Sequence, residues 1–449
     1  METKKNFKNK LVNIHTRLSL FIILIIMVQT TPVYTQIWTL QQCIDTAMVY
    51  NKNLSISENN MELGKQKHKE AKANLIPKVT AVADYKYYTD LPYQLMPQSA
   101  FGGPEGQFKE TQFGVPHNIS ANLQASMPLY NPQVYGAMKT TKIASELSDL
   151  QYQKTEEQVF FEISNLYYNA QILINQVAFI DSNLVNTSRL LENIKLLNEH
   201  QMARGTDVTK VQLQMEQLIS QKELIESKYQ QVINAIKFSM GISSGLDFQI
   251  VNEIQYQEND IYESKLTTYV QMIELQNRLL SSELSTLKHS HLPSLSLYAT
   301  YGSTGFGYDE KPNDFLKFFP IGFVGLQLSY PLFSGTITKR KINQKKIEIK
   351  NSELQYNLAV DQNAMLVENA KRQKTVARNM VENSLKQKEL ALSVYQQTVL
   401  QQREGTANLT EVLLADNALR DAQQNYLSVV IDYLKADLEL KKLTGNIGR

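Results

Sequence analysis

Cysteine, tryptophan and long apolar runs are what this chain has least of. Its single cysteine, Cys43, cannot close an internal disulfide and matches no metal-ligand spacing. The histidines His15, His68, His117, His200, His289 and His291 are scattered, with no metal-gripping pair on one helical turn. No nucleotide-binding glycine loop, nucleophile elbow or cysteine pair occurs. These absences leave no constellation for catalysis, so an enzyme is not expected, nor a cofactor or metal. Charge of either sign is not in excess: 46 basic and 44 acidic residues give a net charge of +2. Neither nucleic-acid attraction nor an acidic binding face is implied by that balance. After residue 30 no stretch is long and apolar enough for a membrane helix, so any crossing must use strands.

Glycine and proline are missing from several long windows, among them 137–204, 206–240 and 336–404. A helix filling the first would run about 100 Å at 1.5 Å per residue, several times the usual globular length. Its apolar residues Ile163, Leu166, Ala170, Leu173, Val177, Ile180, Leu184, Leu191 and Ile194 alternate spacings of three and four, with Thr187 in the one gap. That 3.5-residue period implies coiled-coil packing against a neighbour. Val211, Met215, Leu218, Ile225, Tyr229, Val232 and Ile236 form a second seam, and Val412 to Leu443 a third. Gly205 and Gly405 separate paired helices, which predicts antiparallel hairpins ended and restarted at glycine.

The chain's start reads differently. Lys4, Lys5, Lys8, Lys10 and Arg17 precede the apolar run Leu18–Val28, and Val33-Tyr34-Thr35 offers an imperfect cleavage site. This predicts a secretory signal peptide over 1–35, a retained anchor being the alternative. Cys43 lies beyond that run and comes after Gln42, which does not suit lipid attachment, so it reads as a small apolar residue on a helix.

Beyond the signal, one plan occurs twice. Helices lead to Leu75-Ile76-Pro77, and from there apolar residues alternate (Val79, Ala81, Ala83, Tyr85, Tyr87). A Gly/Pro-rich loop covers 89–117, then Ile119, Ala121, Leu123, Ala125, Met127 and Leu129 alternate with small polar residues. The second copy runs from a helix over 264–291 through Leu292-Pro293 to Leu295, Leu297, Ala299 and Tyr301. A loop over 302–319 and the strand Val324, Leu326, Leu328, Tyr330 complete it. The expected plan is therefore a first repeat over 36–242 (strands about 77–88 and 118–130, hairpin 137–240) and a connector over 243–262. A second repeat covers 263–449 (strands about 293–301 and 321–333, hairpin 336–444). Pro128, Pro132 and Pro331 mark the strand-to-helix hinges. The fold class is mainly α with a small β part: an internally duplicated protomer of long coiled-coil helices plus four amphipathic strands. Strands of about ten residues can cross a bilayer, but four cannot close a barrel, so a cyclic oligomer must supply the rest.

Several stretches together resemble the TolC-like outer-membrane efflux protein family. They are the opening helix Trp38-Thr39-Leu40-Gln41-Gln42-Cys43-Ile44-Asp45-Thr46-Ala47, the Leu-Pro strand starts at Pro77 and Pro293, the exits at 128–130 and 331–333, and the Gly-Thr turns at 205–206 and 405–406. The resemblance covers essentially the whole mature length. It implies a homotrimer with a shared twelve-stranded barrel in the outer membrane, in contact with its lipid, and an α-helical barrel reaching through the periplasm. Such proteins are passive exit ducts of tripartite efflux or type I secretion systems. Energy comes from an inner-membrane transporter (RND, ABC or MFS type), and a periplasmic adaptor docks on the helical tips. The resemblance also places adaptor contacts at Arg204, Gly205, Thr206, Glu404, Gly405 and Thr406. Of the family's two acidic gate positions on the last helix, one is Glu411 here and the other is Leu414, and an acid often found after the first turn is Lys210. A ring of Glu411 would favour cations at a narrow mouth, and Lys210 could pair with Glu411 on an adjacent hairpin to hold it closed. Both residues as plain solvated helix charges is the alternative. For the whole chain the rival is a soluble periplasmic coiled-coil scaffold, which accounts for the seams but not for four strands of matched parity.

Overall fold

The computed structural model describes residues 37–254, 262–307 and 317–447. The expected signal segment 1–35, residues 255–261 of the connector and residues 308–316 of the second loop lie outside them. The chain is mainly helical and forms two compact units. One comprises 37–50, 162–254 and 379–434, the other 51–161, 262–307, 317–378 and 435–447.

In the first unit, β1 (Ile37–Trp38) pairs in parallel with β6 (Gln249–Ile250). Trp38 stacks on Phe248 with ring centroids 5.5 Å apart. The Tyr167 hydroxyl donates to the Trp38 carbonyl at 2.9 Å, and the Gln171 amide donates to the carbonyls of Val251 and Glu253 at 3.0 and 2.9 Å. Those bonds satisfy a two-residue ladder that has no further strands. Helix α1 (Leu40–Tyr50) turns Cys43, Ile44 and Ala47 inward. Burial pushes the Cys43 thiol up to about 12, so it packs as an apolar residue and carries no thiolate at neutral pH. Helix α3 (Pro132–Glu199) brings Ile163, Ala170, Ile180 and Ile194 into this unit, all buried. Helix α4 (Gly205–Met240) meets them with Val211, Leu218 and Ile225. Leu218 and Ile225 close on Ile180, flanked by Leu173, Val177 and Leu184. The spacing of seven along α4 repeats one contact every two turns, which is what holds a long hairpin in register.

The second unit is built on one sheet. Strands β2 (Lys78–Tyr87), β5 (His117–Tyr130), β7 (Ser294–Gly307) and β8 (Phe318–Ser329) pair antiparallel in the order β2-β5-β7-β8. The two halves of the chain thus each give an adjacent pair, joined at β5–β7. Register carries the sequence parity across all four strands. Val79 lies opposite Ala125, Ala125 opposite Ala299, and Ala299 opposite Val324. One row on, Thr80, Gln124, Thr300 and Phe323 align on the other face. One face is therefore largely apolar, interrupted by Ser303 and, at its far end, by His117. The other is mostly polar across β2, β5 and β7.

Within the sheet region, three stretches depart from the sequence expectation. Residues 89–117 hold a hairpin of their own, β3 (Tyr93–Pro97) and β4 (Phe108–Gln112), closed over a short 3-10 turn at Gln98–Phe101. Of the Gly and Pro residues that suggested a loop, Gly102, Gly103, Pro104 and Gly106 lie in its connection, Pro97 ends β3, and the others flank the hairpin. Strand β7 continues to Gly307 instead of ending near residue 301, because Gly302 and Gly305 keep the ladder to both neighbours. Strand β8 ends at Ser329, short of Pro331, whose missing N–H cannot serve a ladder.

Helix α3 begins at Pro132, ahead of Gly136. Asn131 caps it, its Oδ1 accepting from Gln133 and Val134 N–H at 3.0 and 3.3 Å, and Pro132 fits the first helical position. Gly136 is no breaker: a Cβ there would lie 2.4 Å from the Thr286 side chain on α5 (Thr268–His289), so its role is close helix approach. Helix α2 (Lys52–Ala73) is capped by Asn51 through Leu54 N–H at 3.0 Å. Helices α6 (Ile337–Arg403) and α7 (Leu409–Leu443) complete the set.

Asp437 on α7 is the polar centre of this unit. It accepts from the Tyr262 hydroxyl at 2.5 Å and pairs with Lys374 at 2.7 Å and Lys441 at 3.0 Å. Burial alone would raise its pKa, but Lys374, Tyr262 and Lys441 outweigh it and hold the carboxyl below its ordinary value of 3.8. Its stabilising contribution is therefore complete above that value and is lost as pH falls through the lowered one. Asp437→Ala would leave Lys374 buried without its carboxylate and should cost about 3 kcal/mol. Urea unfolding at neutral pH should show that loss, and the gap between wild type and variant should narrow in acid.

Candidate functional site

The first unit ends in two helical turns, one between α3 and α4 and one between α6 and α7, and the sequence places its tip residues there. The turns are built differently. After α6, Gly405 takes φ +74, and Thr406 N–H and Oγ1 both return to the Gln401 carbonyl at 2.9 and 3.0 Å. This is a glycine-terminated helix end in which a left-handed residue lets orphan carbonyls be satisfied. Asn408 then caps α7: its Oδ1 accepts from Glu411 N–H at 3.0 Å while its Nδ2 donates to Glu411 Oε1 at 3.0 Å. Glu411 thus sits in the first turn of α7, where an anion is favoured by the helix dipole.

The α3–α4 turn corrects the expectation that Gly205 breaks the helix. Gly205 is the first helical residue of α4, and its φ is not positive. The left-handed position is Gln201, at φ +59. Met202 N–H reaches back to the Leu197 carbonyl at 2.7 Å and Asn198 Nδ2 donates to the Ala203 carbonyl at 2.8 Å, so Asn198 and Gln201 terminate α3. Arg204 precedes α4 and its N–H donates to Asp207 at 3.3 Å.

Arg204, Gly205, Thr206, Glu404, Gly405 and Thr406 are all exposed. An open cleft of about 600 Å³ lies between the two turns, lined by Asn193, Leu197, Met202, Asp207, Arg403 and Asn408. Beneath it Leu190, Ile194, Val211, Tyr395, Val412 and Leu419 join all four helix ends in one apolar cluster. Lys210 and Glu411 are not paired within the protomer. Lys210 reaches Asp207 at 3.5 Å, and Glu411 is engaged by Asn408. Leu414 is 64% exposed, an apolar side chain left facing outward beside the turn. The prolines expected as hinges lie in the other unit. Pro128 is in β5 where its pairing with β7 shifts register, Pro132 opens α3, and Pro331 stands between β8 and α6.

One group at this end was not anticipated. Asp416, 3% exposed, accepts from Gln214 Nε2 at 2.6 Å and pairs with Arg420, whose Nη2 also reaches Thr187 Oγ1 at 3.4 Å. Gln214, Thr187 and Asp416 come from α4, α3 and α7, so one buried carboxylate ties three helices together. Burial, the largest influence, holds the Asp416 carboxyl above its ordinary 3.8 despite Arg420 and Gln214. Its contribution to stability is thus fullest below the ordinary value and declines as pH rises through the raised one. The signal in the sequence was the Asp416–Arg420 spacing of four beside seam residues Ala415 and Leu419, together with Thr187, the polar gap in the α3 seam.

Among the described residues no group of His, Cys, Asp or Glu side chains is placed to hold a metal, and no helix is long and apolar enough to cross a membrane. Residues 270–446 match the family model described as outer membrane efflux protein. The chain is 21% identical over 355 residues to the outer membrane protein TolC of Vibrio cholerae, covering 73% of this chain and 77% of that one. It is 20% identical over 404 residues to the alkaline protease secretion protein AprF of Pseudomonas aeruginosa, covering 86% and 79%. In fold it is similar to the outer membrane protein VceC from Vibrio cholerae, with TM-score 0.73 at 13% identity and coverage of 90% and 96%. The CmeC outer membrane channel of Campylobacter jejuni gives TM-score 0.74 at 13% identity, covering 91% and 85%.

The two turns predict opposite responses. Gly405→Ala forces a Cβ into the left-handed region and should destabilise by about 1–2 kcal/mol. Gly205→Ala, in open space at a helix start, should be neutral or stabilise by up to about 1 kcal/mol. Asp416→Ala leaves Arg420 without its buried partner and should cost about 3 kcal/mol. Urea midpoints of the three variants against wild type check all three values.

Proposed function

We propose that this chain, similar in sequence and fold to outer-membrane efflux proteins of the TolC type, is the passive exit duct of a tripartite efflux or type I secretion system. It resides in the outer membrane of a Gram-negative cell and extends into the periplasm. Substrates arriving from an inner-membrane transporter through a periplasmic adaptor leave through its lumen without chemistry.

The observation that carries this reading is the parity of the four-stranded sheet. The rows Val79–Ala125–Ala299–Val324 and Ala81–Leu123–Tyr301 give a lipid-compatible face, while Ser120, Asn122, Gln124 and Thr300 give a wet one. Strands β2 and β8 are its open edges. In hydrocarbon those N–H and C=O groups need partners. β8 runs opposite to β2, so one protomer's β8 can continue the antiparallel alternation with the β2 of the next. Two copies would give eight strands, whose interior is filled by side chains; three give twelve and leave a water-filled lumen. We therefore take the assembly to be a homotrimer with a twelve-stranded barrel, continued by the helical hairpins.

At the periplasmic mouth the exposed tips Arg204–Thr206 and Glu404–Thr406 are the adaptor contacts. Three copies of Glu411, each held by its Asn408 cap, set a negative ring, and Leu414 narrows the same mouth with apolar bulk. Lys210 is available to the ring from a neighbouring hairpin only by giving up its long contact to Asp207. Single-channel recording of the purified protein in planar bilayers tests the duct and the ring together. Wild type should open small cation-selective pores, and Glu411→Ala should enlarge them and weaken the selectivity. Pores unchanged by the substitution would discard the ring. Failure of folded trimer to insert at all would return the chain to the scaffold alternative.

A further inference from the structure

We propose that the helical end of the sheet is a binding collar for anionic phospholipid headgroups of the periplasm-facing leaflet, with Lys339, Arg340 and Lys341 as its principal contacts. The proposal rests on the sheet being the membrane-embedded part of the duct. All four strands meet a helix at the same end: Lys78 pairs across from Ser126, Ser126 from Tyr298, and Ser294 from Ser329. Charge at these four junctions is one-sided. No Asp or Glu occurs in 127–142, 284–296 or 327–347, and 69–80 holds only Glu70. The same windows carry Lys72 and Lys78, Lys139 and Lys142, Lys288, and the run from Lys339 to Lys346. A chain whose net charge is +2 has therefore gathered its excess cation at one level of the fold.

The β8–α6 junction is the strongest part. Leu332 and Phe333 are 85% and 87% exposed, and Ile337 opens α6 exposed as well. Lys339, Arg340 and Lys341 come within the first turn or so, exposed, with no carboxylate partner among the described residues. Lys345 is already engaged, by Glu283 at 2.8 Å and Glu348 at 2.5 Å. At 1.5 Å per residue the first three lie about 3–6 Å along the helix from Ile337, inside the screening length of about 8 Å at physiological salt. Apolar side chains that enter the acyl boundary, succeeded at once by unpaired cations, are the chemistry of an interfacial anchor for anionic lipid. Tyr130 and Tyr135, ring centroids 6.2 Å apart at the β5–α3 junction, add the amphipathic rings that favour that depth.

The opposite end of the sheet argues for phospholipid over any ligand that would coat both surfaces. There Asp84, Asp90, Glu105 and Glu110 outnumber Lys86 and Lys109 in residues 84–116. The asymmetry fixes which leaflet is recognised. The surface charge of that leaflet then holds the collar at its depth, and with it the height at which the helices leave the membrane.

The test is reconstitution of the purified full chain into phosphatidylethanolamine vesicles carrying either phosphatidylglycerol or phosphatidylcholine, with insertion scored by protease protection and pore activity. Wild type should favour the phosphatidylglycerol vesicles by at least about fivefold, the effect of one basic residue at an anionic surface, and added salt should erase the preference. The triple variant Lys339→Gln, Arg340→Gln, Lys341→Gln should lose the preference yet insert into phosphatidylcholine vesicles as wild type does, which shows that it folds. A control with equal charge removed elsewhere, Lys195→Gln, Lys228→Gln and Lys386→Gln, should keep it. Equal insertion of wild type into both vesicles, or a preference retained by the triple variant, overturns the collar while leaving the duct intact. No insertion of any form into either vesicle overturns the membrane-embedded reading and the collar with it.

Discussion

The pairing of β5 with β7 is the interaction on which the rest depends. It joins the strand pairs contributed by the two halves of the chain, and its register aligns their apolar residues on one face, Ala125 opposite Ala299 and Leu123 opposite Tyr301. A slip of one residue would turn every side chain of one half to the wrong surface. The pairing also leaves β2 and β8 as edges running in opposite directions, the feature from which the proposed oligomer is argued. The sheet is left open at both edges, which is a statement about backbone hydrogen bonds before it is one about function.

The helices solve a different problem, that of stopping and returning without leaving orphan backbone groups. At one turn glycine supplies the left-handed residue; at the other Gln201 adopts it while Asn198 takes up a freed carbonyl. The two hairpins look alike in sequence because both carry Gly-Thr, yet in one the glycine ends a helix and in the other it begins one. Below the turns Asp416 joins three helices through Gln214, Arg420 and Thr187. A carboxylate held there at the cost of desolvation gives the tip a specific arrangement that an all-apolar seam would leave free to slide.

Much of the fold was legible in the residues alone. Periods of 3.5 and 2.0 distinguish the seams from the strands, and the absence of Gly and Pro over 137–204 and 336–404 announces long helices without any knowledge of packing. Punctuation misled. The hairpin expected from residue 137 begins earlier because Gly136 permits a helix to approach Thr286, and the glycines and prolines of 89–117 suggested a loop where they end and flank the strands of a second hairpin. Glycine marks either a turn or a close approach, and only the neighbour shows which. Glu411 and Lys210 were visible as charges beside the turns, whereas their partners, Asn408 and Asp207, are local capping relations that composition does not rank.

The sequence by itself determined the element types, the amphipathic parity of each strand and the charge of each junction, because all of these are local properties of side-chain spacing. Tertiary structure decided which strands are neighbours, which glycine ends a helix, and that Asp416 is buried against Arg420. Those outcomes depend on groups far apart in the chain meeting in a low-dielectric interior, where a hydrogen bond or an ion pair is decided by geometry that spacing does not encode.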